Sequence, residues 1–166
     1  MSDTAPPPPT TVSPAGLALV QHFEGLRLTA YRCPAGVLTV GWGHTGPDVT
    51  EGQIITEHQA QLALAHDLAH AAADVRRLVM GPLAQCQFDA LVSFVFNVGA
   101  SALATSTLLK RLNAGDYAAV PHELMRWNKV DGEVCHGLVL RRSAEARLWD
   151  GTSPMPQRVD SPEPTS

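Results

Sequence analysis

The stretch Glu24 to His44, EGLRLTAYRCPAGVLTVGWGH, constrains the fold of this chain more than any other. At its centre, Cys33-Pro34-Ala35-Gly36 has proline at the second turn position, where its fixed φ fits, and glycine at the fourth, as a type I turn prefers. Leu28 to Arg32 and Val37 to Trp42 flank the turn, and β-branched and aromatic residues are enriched on the second arm. The two arms therefore fold back antiparallel, carrying Cys33 towards Thr39. Glu24 lies only a few residues ahead, at the same mouth.

Glu24 also ends a helix. Ser13 is a good N-cap and Pro14 a good first helical residue, and Leu17, Leu19, Val20 and Phe23 supply an apolar face before Gly25 stops the run. The C-terminal end of a helix carries partial negative charge, which disfavours a further negative charge on Glu24 and favours the protonated form that a general acid needs. At about 0.3–1 kcal/mol, this effect alone does not separate an acid from a solvated surface glutamate.

Length and composition narrow the class. A chain of 166 residues, 45% hydrophobic and 17% charged, is long enough for one core and reads as a single globular domain. Its net charge of −4 supplies no basic face for nucleic acid. Cys33, Cys86 and Cys135 are odd in number and contain no Cys-x-x-Cys pair, so free thiols and synthesis in a reducing compartment are expected. The opening MSDTAPPPPTTVSP lacks the basic region of an export signal, and the apolar run Ala15 to Val20 is too short to span a membrane. Neither secretion nor stable membrane insertion is expected.

Residues 1–13 and 152–166 are rich in Pro, Thr and Ser and read as disordered tails around a body of 14–151. A tetraproline ligand for a proline-recognising partner is the alternative for the first of them. After the hairpin, Gln53-Ile54-Ile55 offers a further short strand. Thr56 then opens the clearest helix, with Gln59 completing a capping box and Leu64, Leu68, Ala71 and Val75 forming one apolar stripe. From Leu83 onward only helices are expected: a central apolar one to Asn97, then Ser101 to Asn113, Asp116 to Trp127 with a kink or restart at Pro121, and Leu138 to Trp149, with a turn at Asp131-Gly132-Glu133.

Two constellations compete for attention. His66-Asp67-Leu68-Ala69-His70 spaces two histidines as in zinc peptidases, but both project opposite the apolar stripe and Asp67 is a short arm for a base, so no metal and no cofactor is expected. Cys33 with His44 has the makings of a cysteine-hydrolase dyad, against which stands the frequent burial of cysteine as a small inert hydrophobe. His44 reads more simply as a structural anchor of the hairpin exit, and Trp42 as packing. Arg126, beside Trp127, reads equally well as a site residue or a surface ion pair.

The order and spacing of Glu24, Cys33 and Thr39, with EGLRL ahead and GWGH behind, resemble the catalytic hairpin of the phage-type lysozymes, the endolysins of glycoside hydrolase family 24. In that family the middle position is Asp or, in a recurrent subgroup, Cys. The resemblance runs from about Gly16 to Gly151 through Phe88-Asp89-Ala90-Leu91, Phe96-Asn97-Val98-Gly99, Ser106-Thr107-Leu108-Leu109, Leu112-Asn113-Ala114-Gly115, Arg126-Trp127, and Gly137-Leu138 to Arg141-Arg142 with Glu145. It implies an α+β lysozyme-like fold: a small N-terminal antiparallel β lobe and a larger C-terminal helical lobe joined by a long helix, with a cleft between. It also implies hydrolysis of the β-1,4 bond between N-acetylmuramic acid and N-acetylglucosamine in peptidoglycan.

On that resemblance Glu24 protonates the leaving oxygen, and Cys33 and Thr39 hold the attacking water, which gives inversion. Asn97 and Phe96 are the candidates for substrate contact. Arg141 or Arg142 is the basic neighbour of Glu24, the register leaving the choice open. A monomer is expected, made in the host cytoplasm and reaching the wall through a holin-type membrane partner. The alternatives are a lytic transglycosylase, which uses the same acid without a water, and a non-catalytic wall-binding or virion protein. Cysteine in place of aspartate weakens the case for a general base, since a thiol with an ordinary pKa of about 8.5 is mostly neutral at pH 7.

Overall fold

The computed structural model describes residues 5–153. Helix α1 (Pro14–Glu24) leads into strands β1 (Arg27–Arg32), β2 (Leu38–Gly41) and β3 (His44–Thr45). The long α2 (Glu57–Leu78) follows, then α3 (Gln85–Val98), α4 (Ala100–Ala104) and α5 (Thr107–Asn113). A single 3-10 turn (Tyr117–Ala119) runs into α6 (Val120–Met125), and a small hairpin of β4 (Lys129–Val130) and β5 (Glu133–Val134) precedes α7 (His136–Trp149). This is the expected α+β arrangement, mostly helical, with a small antiparallel sheet near the N-terminus and a long helix leading to the helical part.

The first hairpin forms as its turn chemistry predicts. The Gly36 N–H donates to the Cys33 carbonyl at 2.7 Å, closing the turn, and Gly36 takes φ +80°, where a side chain would be strained. The strands are antiparallel with Tyr31 opposite Thr39, and β3 adds to the free edge of β2. Ile54 bridges to Thr29 beyond the other edge, so the third short run at Gln53-Ile54-Ile55 pairs as a bridge.

Helix α2 starts with the capping box: Thr56 Oγ1 accepts from the Gln59 N–H, and Gln59 Oε1 from the Thr56 N–H. Leu64, Leu68, Ala71 and Val75 are all buried. The stripe packs on α3, whose Phe88, Leu91, Val92, Phe94 and Val95 are buried in turn. At about 1.5–3 kcal/mol for each large apolar side chain, α3 is the principal source of core stability. It lies against α1, α2 and α7 together, and so fixes where the ends of α1 and α7 meet.

Three expectations are corrected. The helix foreseen from Ser101 to Asn113 is two, because Ser106 Oγ donates to the Leu103 carbonyl and accepts from the Leu109 N–H, capping a new helix in mid-run. The region beyond Leu83 is not wholly helical, since Asp131 (φ +50°) and Gly132 (φ +84°) close the β4–β5 hairpin. The described part of the N-terminal segment touches the body: Gln85 Nε2 donates to the Thr11 carbonyl at 2.9 Å, and Val12 packs on the core. Residues 1–4, and the C-terminal segment from residue 154, lie outside the described residues. Among those described, no helix is long and apolar enough to cross a membrane.

Candidate active site

Glu24 closes α1, and Gly25 at φ +68° turns the chain away, its N–H donating back to the Gln21 carbonyl at 3.0 Å. The carboxylate is thereby fixed at the seam of the two lobes, its side chain one-fifth exposed. Oε1 accepts from Arg141 Nη1 at 2.6 Å. Oε2 faces Gly43, where an added Cβ would lie 2.6 Å away. With φ +74°, Gly43 supplies both the backbone conformation and the close approach, which explains glycine after Trp42.

Gly43 also belongs to the wall of a groove. With Thr45, Asp67, His70, Phe96 and Gly99 it lines a cavity of about 320 Å³ between the hairpin exit, α2 and the end of α3. Phe96 stands at this groove. Asn97 is exposed beside it, and its Oδ1 accepts from Arg142 Nη2 at 2.6 Å, leaving the amide N–H donors free of that contact.

The two arginines that the sequence could not separate take different places. Arg141 is the neighbour of Glu24, and it also donates through Nη2 to the Ser93 carbonyl at 3.2 Å. Arg142, fully buried, holds Asn97 and lies over the Phe94 ring, 4.9 Å from its centroid. Arg126 sits away from both, in an ion pair with Glu123 at 2.9 Å.

Cys33 and Thr39 come together at the head of the hairpin. Backbone hydrogen bonds from Val37 and Ala35 hold the Cys33 thiol below its usual range, Thr39 adds to this, and desolvation opposes it. Thr39 is buried, and its hydroxyl lies 3.0 Å from the Val37 carbonyl as a donor. Its single proton serves either that carbonyl or the Cys33 sulfur, while a lone pair stays free to accept from a water.

His44 does not face Cys33. Nδ1 is 2.7 Å from Asp67 Oδ2 and Nε2 is 2.9 Å from Asp48 Oδ2, so both ring nitrogens are engaged. Burial disfavours the imidazolium, but the two carboxylates outweigh it and raise the His44 pKa. This is the expected anchor at the hairpin exit, and it removes the base that a Cys33–His44 dyad would need. Asp67 ties the β lobe to α2, a role the sequence did not reveal because its partner is 23 residues away. His66 and His70 are exposed on α2, and Trp42 is buried as packing.

A profile of the Phage lysozyme family matches residues 21–145. The endolysin of Acyrthosiphon pisum secondary endosymbiont phage 1 is 45% identical over 143 residues, which are 84% of this chain and 97% of that protein. Among solved structures, the endolysin from Escherichia coli O157:H7 phage FAHEc1 superposes with a TM-score of 0.80 at 37% identity, covering 87% of this chain and 97% of the other. A mutant of P22 lysozyme does so with a TM-score of 0.75 at 36% identity, covering 84% and 97%. The family profile and these relatives show that the chain belongs to the phage lysozyme family, and is an endolysin-type muramidase that hydrolyses peptidoglycan.

Proposed function

We propose that Glu24 is the general acid of this muramidase and that Cys33 and Thr39 hold the attacking water on the opposite face of the sugar, so that the β-1,4 bond is cleaved with inversion. The observation that carries this reading is the division of the Glu24 carboxylate. One oxygen is gripped by Arg141, and the other is turned to Gly43 at the groove. Oε2 is then the atom that gives its proton to the leaving glycosidic oxygen. Thr39 accepts a hydrogen bond from the water through its free lone pair, and the Cys33 sulfur, as thiolate, takes the water's proton as the oxygen attacks C1. Atoms balance: one proton leaves Glu24, one arrives at Cys33, and bulk solvent restores both.

Substrate binding falls to Phe96 at the groove and to the Asn97 amide, which Arg142 orients from below. Arg141 acts on substrate through Glu24. The protein works as a monomer, is made in the host cytoplasm, and reaches the wall when a holin-type partner opens the membrane. The test is digestion of purified peptidoglycan by wild type and Glu24→Gln, with mass analysis of the fragments. Reducing muramic ends are expected from wild type alone, with turnover of the variant down about 10²–10⁴-fold. Anhydro ends would move the reaction to transglycosylation, and near-normal turnover of the variant would remove Glu24 from its role.

A further inference from the structure

Behind Arg141 lies a charged group that the reaction as described does not use. Glu145, one turn along α7 from Arg141, is wholly buried. Its Oε1 accepts from Ser93 Oγ at 2.8 Å and lies 3.4 Å from Arg141 Nε; its Oε2 lies 3.1 Å from Arg142 Nε. Ser93, also buried, touches both sides, since its carbonyl and its hydroxyl receive Arg141 Nη2 at 3.2 and 3.4 Å. Among the described residues Glu145 is the one carboxylate within ion-pair distance of both arginines, and each arginine passes the contact outward: Arg141 to Glu24, Arg142 to Asn97.

We propose that Glu145 is a positioning residue for the muramidase reaction: it shares Arg141 with Glu24 and so sets how strongly the arginine holds the acid's charge. Arg141 meets Glu24 Oε1 at 2.6 Å through Nη1, and whatever else holds the guanidinium decides how firmly it grips that oxygen. A second carboxylate on the same guanidinium divides that attraction. It also fixes the arginine side chain from behind, so that Nη1 has a single direction in which to reach. This rests on the reading of Glu24 as acid.

Burial is the larger influence on Glu145 and raises its pKa, while Arg142, then Arg141, and the Ser93 hydrogen bond oppose it. What favours its charge is geometric: two guanidinium groups lie 3.4 and 3.1 Å from its oxygens. Arg142 is fully buried, keeps its proton at neutral pH, and has Glu145 as its one carboxylate within ion-pair distance among the described residues. From α6 comes Glu123, already paired with Arg111 and Arg126; α3 adds Ser93 and Asn97, which are uncharged, and Asp89, bonded to Ser13 and Gln85. Gly43, which faces Glu24, is followed in the chain by His44, whose ring nitrogens are taken by Asp67 and Asp48.

The experiment is kcat and KM on purified peptidoglycan as a function of pH for wild type, Glu145→Gln, Glu145→Asp and Ser93→Ala, with thermal unfolding alongside. Glu145→Gln keeps the shape and loses the charge, so Arg141 binds Glu24 alone. The alkaline limb of the kcat/KM profile is expected about one pH unit lower, and kcat at pH 7 about tenfold lower with KM little changed. Glu145→Asp keeps the charge and returns the limb to its wild-type place. Ser93→Ala, which deletes a hydrogen bond and no charge, moves it the same way as Glu145→Gln by a smaller step, and serves if Glu145→Gln does not fold. Limbs unmoved in Ser93→Ala and in whatever folded Glu145→Gln is obtained, with activity lost only in proportion to folded protein, overturn the proposal. Glu24→Gln, run beside them, separates the two failures: if it is inactive while the limbs stay fixed, only the role of Glu145 falls, and if it turns over normally, both fall.

Discussion

Two walls meet at Glu24, and they are built on opposite terms. The inner wall, from α3 and α7, is an ion network of Ser93, Arg141, Arg142 and Glu145 that is almost wholly out of water. The outer wall is the hairpin and its exit, where Cys33 is half exposed and Asp48 reaches into solvent. Charges buried in a network cannot move cheaply, because losing one partner leaves another uncompensated. Groups on a turn can be exchanged at modest cost. On the proposed mechanism the inner wall aims the acid and the outer wall handles the water.

The largest effect that would break this comparison is at the point where the walls touch. Gly43→Ala places a methyl 2.6 Å from Glu24 Oε2 and forces a left-handed backbone on a residue with a side chain. The backbone term costs about 1–2 kcal/mol of stability. Displacing the acid by about 1 Å should lower kcat/KM some 10²-fold, measured on the folded protein. A variant with normal turnover would mean that Oε2 does not work at this position.

Next comes the exchangeable group on the outer wall. Cys33→Ala should lower kcat by about 10²-fold. Cys33→Asp should stay within about tenfold of wild type at pH 7, and should keep working further into acid, since a carboxylate of ordinary pKa near 3.9 is ionised where a thiol is not. A pH–rate profile of the two variants measures both. An aspartate variant as slow as the alanine one would make Cys33 something other than a holder of water.

The smallest effect concerns stability alone. The His44 pKa is raised in the folded protein, so its contribution is complete below the unfolded value of about 6.5 and is lost as pH rises through the folded one. That of Asp48 is lowered, chiefly by His44, so its contribution appears above about 3.9 and is lost on acidification. His44→Gln should cost about 1–3 kcal/mol between roughly pH 4 and 6.5, mostly through Asp67 because Asp48 is exposed. The penalty should shrink above neutrality in denaturant titrations, and a penalty independent of pH would contradict the ion-pair account.

What could be read from the sequence was what short-range chemistry decides. The Cys33–Gly36 turn, the Ser13 and Thr56 caps, the stripe of α2 and the restart at Pro121 all follow from residues within one or two turns of each other. Strand β3 and the β4–β5 hairpin have two residues per strand, too few to show a period. The break at Ser106 depends on a side chain choosing a cap over the helix interior. Arg141 could not be told from Arg142 because adjacent helical residues differ by about 100° in direction, and only the packing of α7 on α3 says which one faces α1. Asp67 was visible as a residue of a histidine-rich helix face, but its partner lies on the other lobe.

The central claim is that Cys33 serves a water and does not itself attack the sugar. Nuclear magnetic resonance of the anomeric proton, recorded in the first minutes of hydrolysis of a soluble peptidoglycan oligosaccharide, tests it most directly. The account predicts that the α-anomer appears first and then mutarotates. A β-anomer formed first would show net retention, and with it a covalent intermediate that contradicts the account.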